Sequence, residues 1–256
     1  MIPFFVSSFK TNSMALHFDI ISLFPEYFRG PLSCGILKIA QDKGAINIDI
    51  INPRDFVKNR IVDDYQFGGG AGMVLMMEPL IKAIQAVKKE DSLIINFTPS
   101  GVVLNQKLIK GLVKNNNIIL VCGRYKGIDE RLGRFLPLKE ISIGDYVLSG
   151  GEAAALVLIE AISRLLPGVL GNFDSAEEDS LQNGLLSAPV YTRPANLKNM
   201  SVPEVLISGN HQAIARWRRK ESIRKTLKQR PDLLSDVVFS KQDLEILMEV
   251  LNDKKS

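Results

Sequence analysis

The chain has 256 residues, 46% hydrophobic and 23% charged, a globular balance that excludes a wholly disordered polypeptide. Its longest uncharged apolar stretch runs from about Ala153 to Ile159, well short of the roughly 20 residues that span a bilayer, so no membrane association is expected. The net charge of +4 is unevenly spread: Arg216 to Arg230 holds eight basic residues against one acid, Glu221, which leaves −3 for the rest of the chain.

In chain order, Met1–Ser13 offers a short apolar patch, Ile2–Val6, and one late lysine. That falls short of a secretory signal, and a cytoplasmic protein is expected. Phe18–Phe24 and Ile46–Ile51 read as strands rich in β-branched residues, bounded by Pro25 and Pro53. Between them Leu32, Ile36, Ile39 and Ala40 recur at helical spacing, and Leu80, Ile81, Ile84 and Val87 mark a second helix after Pro79. Leu93–Phe97 and Ile118–Cys122 are further strand-like runs, separated by a helix carrying Leu104, Leu108, Leu112 and Val113 on one stripe. This alternation predicts an α/β domain with a parallel sheet. Glu152–Leu166 reads as a helix apolar on nearly every face, and so buried, in the core or between subunits.

After Pro167 the composition changes to Gly168, Gly171, Asn172, Asp174 and Ser175, followed by Glu177, Glu178 and Asp179. A flexible connector is expected there. Beyond it the chain becomes helical and basic, with a helix over about Asn210–Gln229 stopped by Pro231 and a last helix opened by Ser240 with Asp243 three residues on. The expected organisation is an extension over 1–13, an α/β domain over 14–170, a linker over 171–178 and a small, mostly helical domain over 179–256.

Cys34, Cys122, His17 and His211 are too few to build a disulfide framework or a zinc site, and no metal site is expected. The run Gly68-Gly69-Gly70-Ala71-Gly72 lacks the spacing of a phosphate-binding or dinucleotide-binding loop. It reads as a turn or as a place where backbone approaches another group. Three glycine-bearing loops follow strand-like runs: Phe97–Gly101, Gly123–Asp129 and Ser142–Gly151. Ligands of open α/β sheets bind beyond the carboxyl ends of strands, so these loops either line one pocket or are three routine turns. The basic segment is the footprint of a phosphate-backbone partner or a solvated helix face.

The segments GRYKGIDER (Gly123–Arg131), SIGDYVLSGGE (Ser142–Glu152), SRLLPGVLG (Ser163–Gly171), EDS (Glu178–Ser180), GLLSAPVYTRP (Gly184–Pro194) and SGNHQAIARWRRKES (Ser208–Ser222) closely resemble the TrmD family of bacterial tRNA (guanine-N1)-methyltransferases, in the SPOUT superfamily. The likeness begins near Met14 and reaches the C-terminus. It implies a SPOUT-type parallel sheet with a deep trefoil knot, and S-adenosylmethionine bound by the knot loops. Matched position by position, the cofactor residues would be Pro99, Gly101, Gly123, Tyr125, Ser142, Ile143, Gly144, Asp145, Tyr146, Val147, Leu148, Gly150 and Gly151.

The resemblance further implies Asp179 as the catalytic base and Arg164 as the catalytic arginine, with methyl transfer to N1 of the guanosine immediately 3′ of the anticodon. It implies a homodimer whose active site joins the pocket of one subunit to the aspartate of the other. Arg216, Arg218, Arg219, Lys220 and Lys228 would then contact tRNA phosphates, while Trp217 either stacks on a base or anchors the small domain. Participation of Mg²⁺ stays open. Lys126 stands where family members usually carry Glu, which bears on the methionine end of the cofactor. Two other readings are compatible with these residues: the same fold acting on another RNA or a ribose hydroxyl, and a non-catalytic RNA-binding protein.

Overall fold

A computed structural model describes residues 15–171 and 179–253. The extension expected over 1–13 and, apart from Gly171, the linker expected over 171–178 lie outside the described residues. Two compact units divide the chain, 1–171 and 172–256.

The first unit contains β1 (Leu16–Ile21), α1 (Glu26–Leu32), α2 (Gly35–Asp42), β2 (Ile46–Ile51), β3 (Asp63–Tyr65), β4 (Met73–Leu75), α3 (Met77–Val87), β5 (Leu93–Val103), α4 (Gln106–Leu112), β6 (Asn117–Val121), α5 (Arg131–Phe135), β7 (Leu138–Ser142) and α6 (Glu152–Ser163). Five strands pair in the order β2-β1-β6-β5-β7, all parallel. Parallel neighbours need crossovers, and these put helices on both faces and bury the strands twice over. Phe18, Ile20, Ile118 and Leu120 accordingly pack with Phe28 of α1, Leu37 of α2, Leu112 of α4 and Leu158 of α6. Residues of opposite parity, Ile21, Ile119 and Val121, meet Leu80 and Ile84 of α3 on the other face. Burying one such side chain contributes about 1.5–3 kcal/mol, which is why near-continuous Ile, Leu and Val runs specify this layered arrangement.

Several expected boundaries move. Strand β1 begins at Leu16 and ends at Ile21, which leaves Phe24 outside the sheet and 42% exposed. The single stripe expected over Leu32–Ala40 is divided between α1 and α2, with Pro31 inside the last turn of α1. Leu37 and Ala40 turn inward, whereas Ile39 is exposed. Strand β5 runs on past Phe97 to Val103, and its register with β7 jumps between Phe97 and Val102. The glycine run joins β3 to β4 as an antiparallel pair.

The second unit contains a short hairpin of β8 (Asn196–Leu197) and β9 (Met200–Ser201), then α7 (Glu204–Ile207), α8 (His211–Gln229) and α9 (Lys241–Asp253). Its small core joins Leu185, Ile223, Ile246 and Val250. Asn210 caps α8 by accepting from the Ala213 N–H at 3.1 Å. Ser240 and Asp243 form the reciprocal cap expected at α9: the Asp243 N–H donates to Ser240 Oγ at 3.1 Å and the Ser240 N–H to Asp243 Oδ2 at 3.0 Å. Among the described residues no helix is long and apolar enough to cross a membrane.

Candidate active site

Strands β6, β5 and β7 are neighbours in the sheet, so the segments after β6 and β7 converge with the irregular stretch of β5 between Phe97 and Val102. They enclose a cavity of about 360 Å³, a size suited to a small organic ligand. Pro99, Gly123, Tyr125, Ser142, Ile143, Gly144, Tyr146, Val147, Leu148, Gly150 and Gly151 line it, together with the acids Glu130 and Glu140. Gly101 and Asp145 are not among the lining residues. Gly101 acts behind the wall: a Cβ there would stand 2.4 Å from the Ile141 backbone nitrogen, so β5 can rejoin β7 only with hydrogen at this position. At Gly151 a Cβ would meet Cys122 Cα at 2.8 Å. That close approach lets the Gly151 N–H donate to the Gly123 carbonyl at 3.0 Å and ties the second loop to the third.

Beneath these loops lies a charged cluster that sequence reasoning did not single out. Glu152, the first residue of α6, is 1% exposed. Its Oε1 accepts from the Ser22 hydroxyl at 2.8 Å and from Arg124 Nε at 3.2 Å. Its Oε2 accepts no hydrogen bond but lies 3.0 Å from the same Arg124 nitrogen. The Arg124 guanidinium in turn sits 4.4 Å from the Phe24 ring centroid, over its face. Thus the end of β1, the loop after β6 and the head of α6 are pinned at one point. Burial, and then the Glu152 charge, push the neighbouring Cys122 thiol well above its ordinary value. The signal available in the sequence was an acid opening a largely apolar helix.

The β3–β4 pair flanks the loop after β6. Lys126 N–H donates to the Met73 carbonyl at 3.0 Å, Leu75 N–H to Gly127 at 3.0 Å and Asp129 N–H to Leu75 at 2.9 Å. Tyr125 takes φ of 60° within this loop, and its hydroxyl pKa is raised by desolvation first and then by its hydrogen bond to Asp63. Arg164 caps the C-terminal end of α6 and is partly buried, whereas Asp179 is exposed in the second unit. Arg164 does not line the cavity.

A family model described as "tRNA (Guanine-1)-methyltransferase TrmD" matches residues 16–236. The chain belongs to the TrmD family. Among curated relatives, the tRNA (guanine-N(1)-)-methyltransferase of Dictyoglomus turgidum is 52% identical over 92% of this chain and 96% of its own. Its counterpart in Carboxydothermus hydrogenoformans is 50% identical over 90% of this chain and 92% of its own. That of Dehalococcoides mccartyi is 48% identical over 92% and 97%.

In this TrmD-family chain, Lys126 is exposed at the cavity rim and its stem lies against Gly72, where a Cβ would meet Lys126 Cγ at 3.1 Å. The basic segment proves to be largely neutralised within its own unit. Arg216 pairs with Glu249, Lys220 with Glu249 and Asp253 at 3.3 and 3.2 Å, and Arg219 grips Asp243 through two hydrogen bonds of 2.6 and 3.0 Å. Arg218 and Lys228 are exposed on α8. Trp217 is partly buried, 6.3 Å from the Tyr191 ring centroid.

Proposed function

We propose that this chain transfers a methyl group from S-adenosylmethionine to N1 of the guanosine at position 37, immediately 3′ of the anticodon, in tRNA. One observation carries the reading: a glycine-walled cavity formed by the loops after β6 and β7 and the irregular stretch of β5 between them, in a chain of the TrmD family. The cavity residues fit this donor. Gly123, Gly150 and Gly151 leave their part of the wall without side chains, Ile143 and Leu148 offer apolar surface for a flat base, and Glu130 and Glu140 supply negative charge for a cation. When bound, S-adenosylmethionine supplies an electrophilic methyl group on a sulfonium.

The protein's own task is to make guanine N1 nucleophilic. N1 carries a proton, and a carboxylate within hydrogen-bond reach that removes it is worth about 10²–10⁴ in rate. Asp179 takes this role. Charge then builds towards O6, where the Arg164 guanidinium stabilises it. Following the family resemblance, we assign the active site to a homodimer in which one subunit's pocket receives Asp179 of the other. Val102, Val103 and Val147, respectively 64%, 55% and 95% exposed close to the cavity, support an apolar face covered by a second copy. The proposal includes a SPOUT-type trefoil knot through the cavity loops, and phosphate contacts by Arg218 and Lys228 that position the tRNA while the target base leaves its stack.

The test is methylation of a tRNA transcript by the purified protein, with the product nucleoside identified by mass spectrometry. The expected product is 1-methylguanosine, absent with Asp179→Asn although calorimetry still detects S-adenosylmethionine binding. An active Asp179→Asn protein removes Asp179 from the mechanism; donor binding with unmodified anticodon loops rejects the substrate.

A further inference from the structure

Strand β2 forms one edge of the five-stranded sheet, paired only to β1 within it. In that pairing Asp19 of β1 stands opposite Asp49 of β2, and His17 lies two residues before Asp19 on the same face. His17 Nε2 is 3.2 Å from Asp19 Oδ1 and 3.3 Å from Asp49 Oδ2, and a ligand atom from each of the three falls within 4.8 Å of the others. One ring nitrogen faces two carboxylates, so a single N–H cannot serve both well. Zinc bonds to imidazole nitrogen and carboxylate oxygen are about 2.0–2.2 Å, which sets the edge of a tetrahedron of such ligands at ~3.3 Å. The two nitrogen–oxygen separations match that edge without movement of either strand.

We propose that His17, Asp19 and Asp49 form a zinc-type divalent transition-metal site that clips the edge strand β2 to β1. The sequence expectation of no metal site weighed cysteines and histidines alone; β pairing supplies the two carboxylates from positions 30 residues apart. The donors grade from buried to accessible, with side-chain exposures of 4% for Asp19, 20% for His17 and 70% for Asp49, which gives a fixed anchor and an entry path with room for water as a fourth ligand. An imidazole with two carboxylates suits zinc, whereas magnesium prefers an all-oxygen octahedron. Lys89 is the competing cation near Asp19, but its Nζ donates to Asn117 Oδ1 at 2.7 Å.

The experiment is calorimetric titration of the chelator-stripped full-length protein with zinc chloride. One zinc per chain is expected, undiminished by excess magnesium and retained in Cys34→Ser, which removes the exposed thiol. Asp49→Asn, a change on an exposed edge that leaves the buried anchor in place, should weaken zinc at least about tenfold, and His17→Gln should abolish the site. S-adenosylmethionine binding, measured in parallel, should be unchanged in Asp49→Asn. Absence of stoichiometric zinc binding, equal affinity in Asp49→Asn, or loss of binding in Cys34→Ser would each overturn the proposal.

Discussion

Glu152 carries a charge where the surrounding helix is apolar, and its cost is offset by Arg124 and Ser22. Breaking a buried pair strands the remaining ion, a loss of about 3–5 kcal/mol. Glu152→Ala is therefore expected to lower stability by an amount in this range, seen as a shifted urea midpoint. Glu152→Gln keeps the Ser22 hydrogen bond and the volume, so it should lose less stability while still loosening the loop that Arg124 holds. Calorimetry should show weaker S-adenosylmethionine binding in both variants. If Glu152→Ala unfolds at the parent midpoint, the pin is not structural. The contrast with the glycines explains which site residues were legible. Gly123, Gly150 and Gly151 stand in contiguous motifs that can be matched by eye, whereas the partner of Glu152 is Ser22, 130 positions away, and only the folded sheet joins them.

At the level of elements, periodicity located most helices and strands but not their pairing. Ile46–Ile51 is a strand over the residues expected, because the alternation of Ile46, Ile48 and Ile50 with the exposed Asn47 and Asp49 is the period-two signal of a half-buried edge strand. The order β2-β1-β6-β5-β7 was not legible, since any neighbouring strand of similar composition satisfies the same pattern. The β8–β9 hairpin was missed because Lys198 and Asn199 occupy its two positive-φ positions, without the glycine that usually announces such a turn. The cap of α9 was legible in Ser240 and Asp243, but its coupling to Arg219 of α8 was not. That coupling has a pH signature. The Arg219 hydrogen bonds, against some desolvation, hold the Asp243 carboxyl at about 2 instead of its ordinary 3.8. A depressed carboxyl contributes stability that is fully present above the ordinary value and is lost as pH falls through the folded value, here on the order of 2 kcal/mol between about pH 4 and pH 2. The fluorescence of Trp217, the only tryptophan, reports on the helical unit. Its urea midpoint should fall across this window in the parent and much less in Asp243→Asn, which begins lower; parallel curves would show that the pair does not stabilise the unit.

For the whole molecule, the decisive question is how a cavity in one unit meets the base proposed in the other. Arg164 ends α6 in the first unit and Asp179 opens the described part of the second, so one polypeptide holds both, yet the proposed site takes Asp179 from a partner. Mixed dimers separate the two arrangements. Gly144 takes φ of 145°, and a Cβ there would meet the Tyr146 ring at 2.5 Å, so Gly144→Val should disable the cavity loop through strain of about 1–3 kcal/mol and a blocked wall. Asp179→Asn leaves the cavity intact. Each homodimer is expected to be inactive. In a heterodimer of the two, a site shared between subunits pairs the sound cavity of the Asp179→Asn chain with the sound aspartate of the Gly144→Val chain, and one of two sites should work. Co-expressed, differently tagged chains purified through both tags should thus form 1-methylguanosine at about half the parent rate per dimer, once circular dichroism shows that Gly144→Val is folded. A site contained within one chain leaves a defect in every copy, and an inactive heterodimer would assign Asp179 to its own subunit.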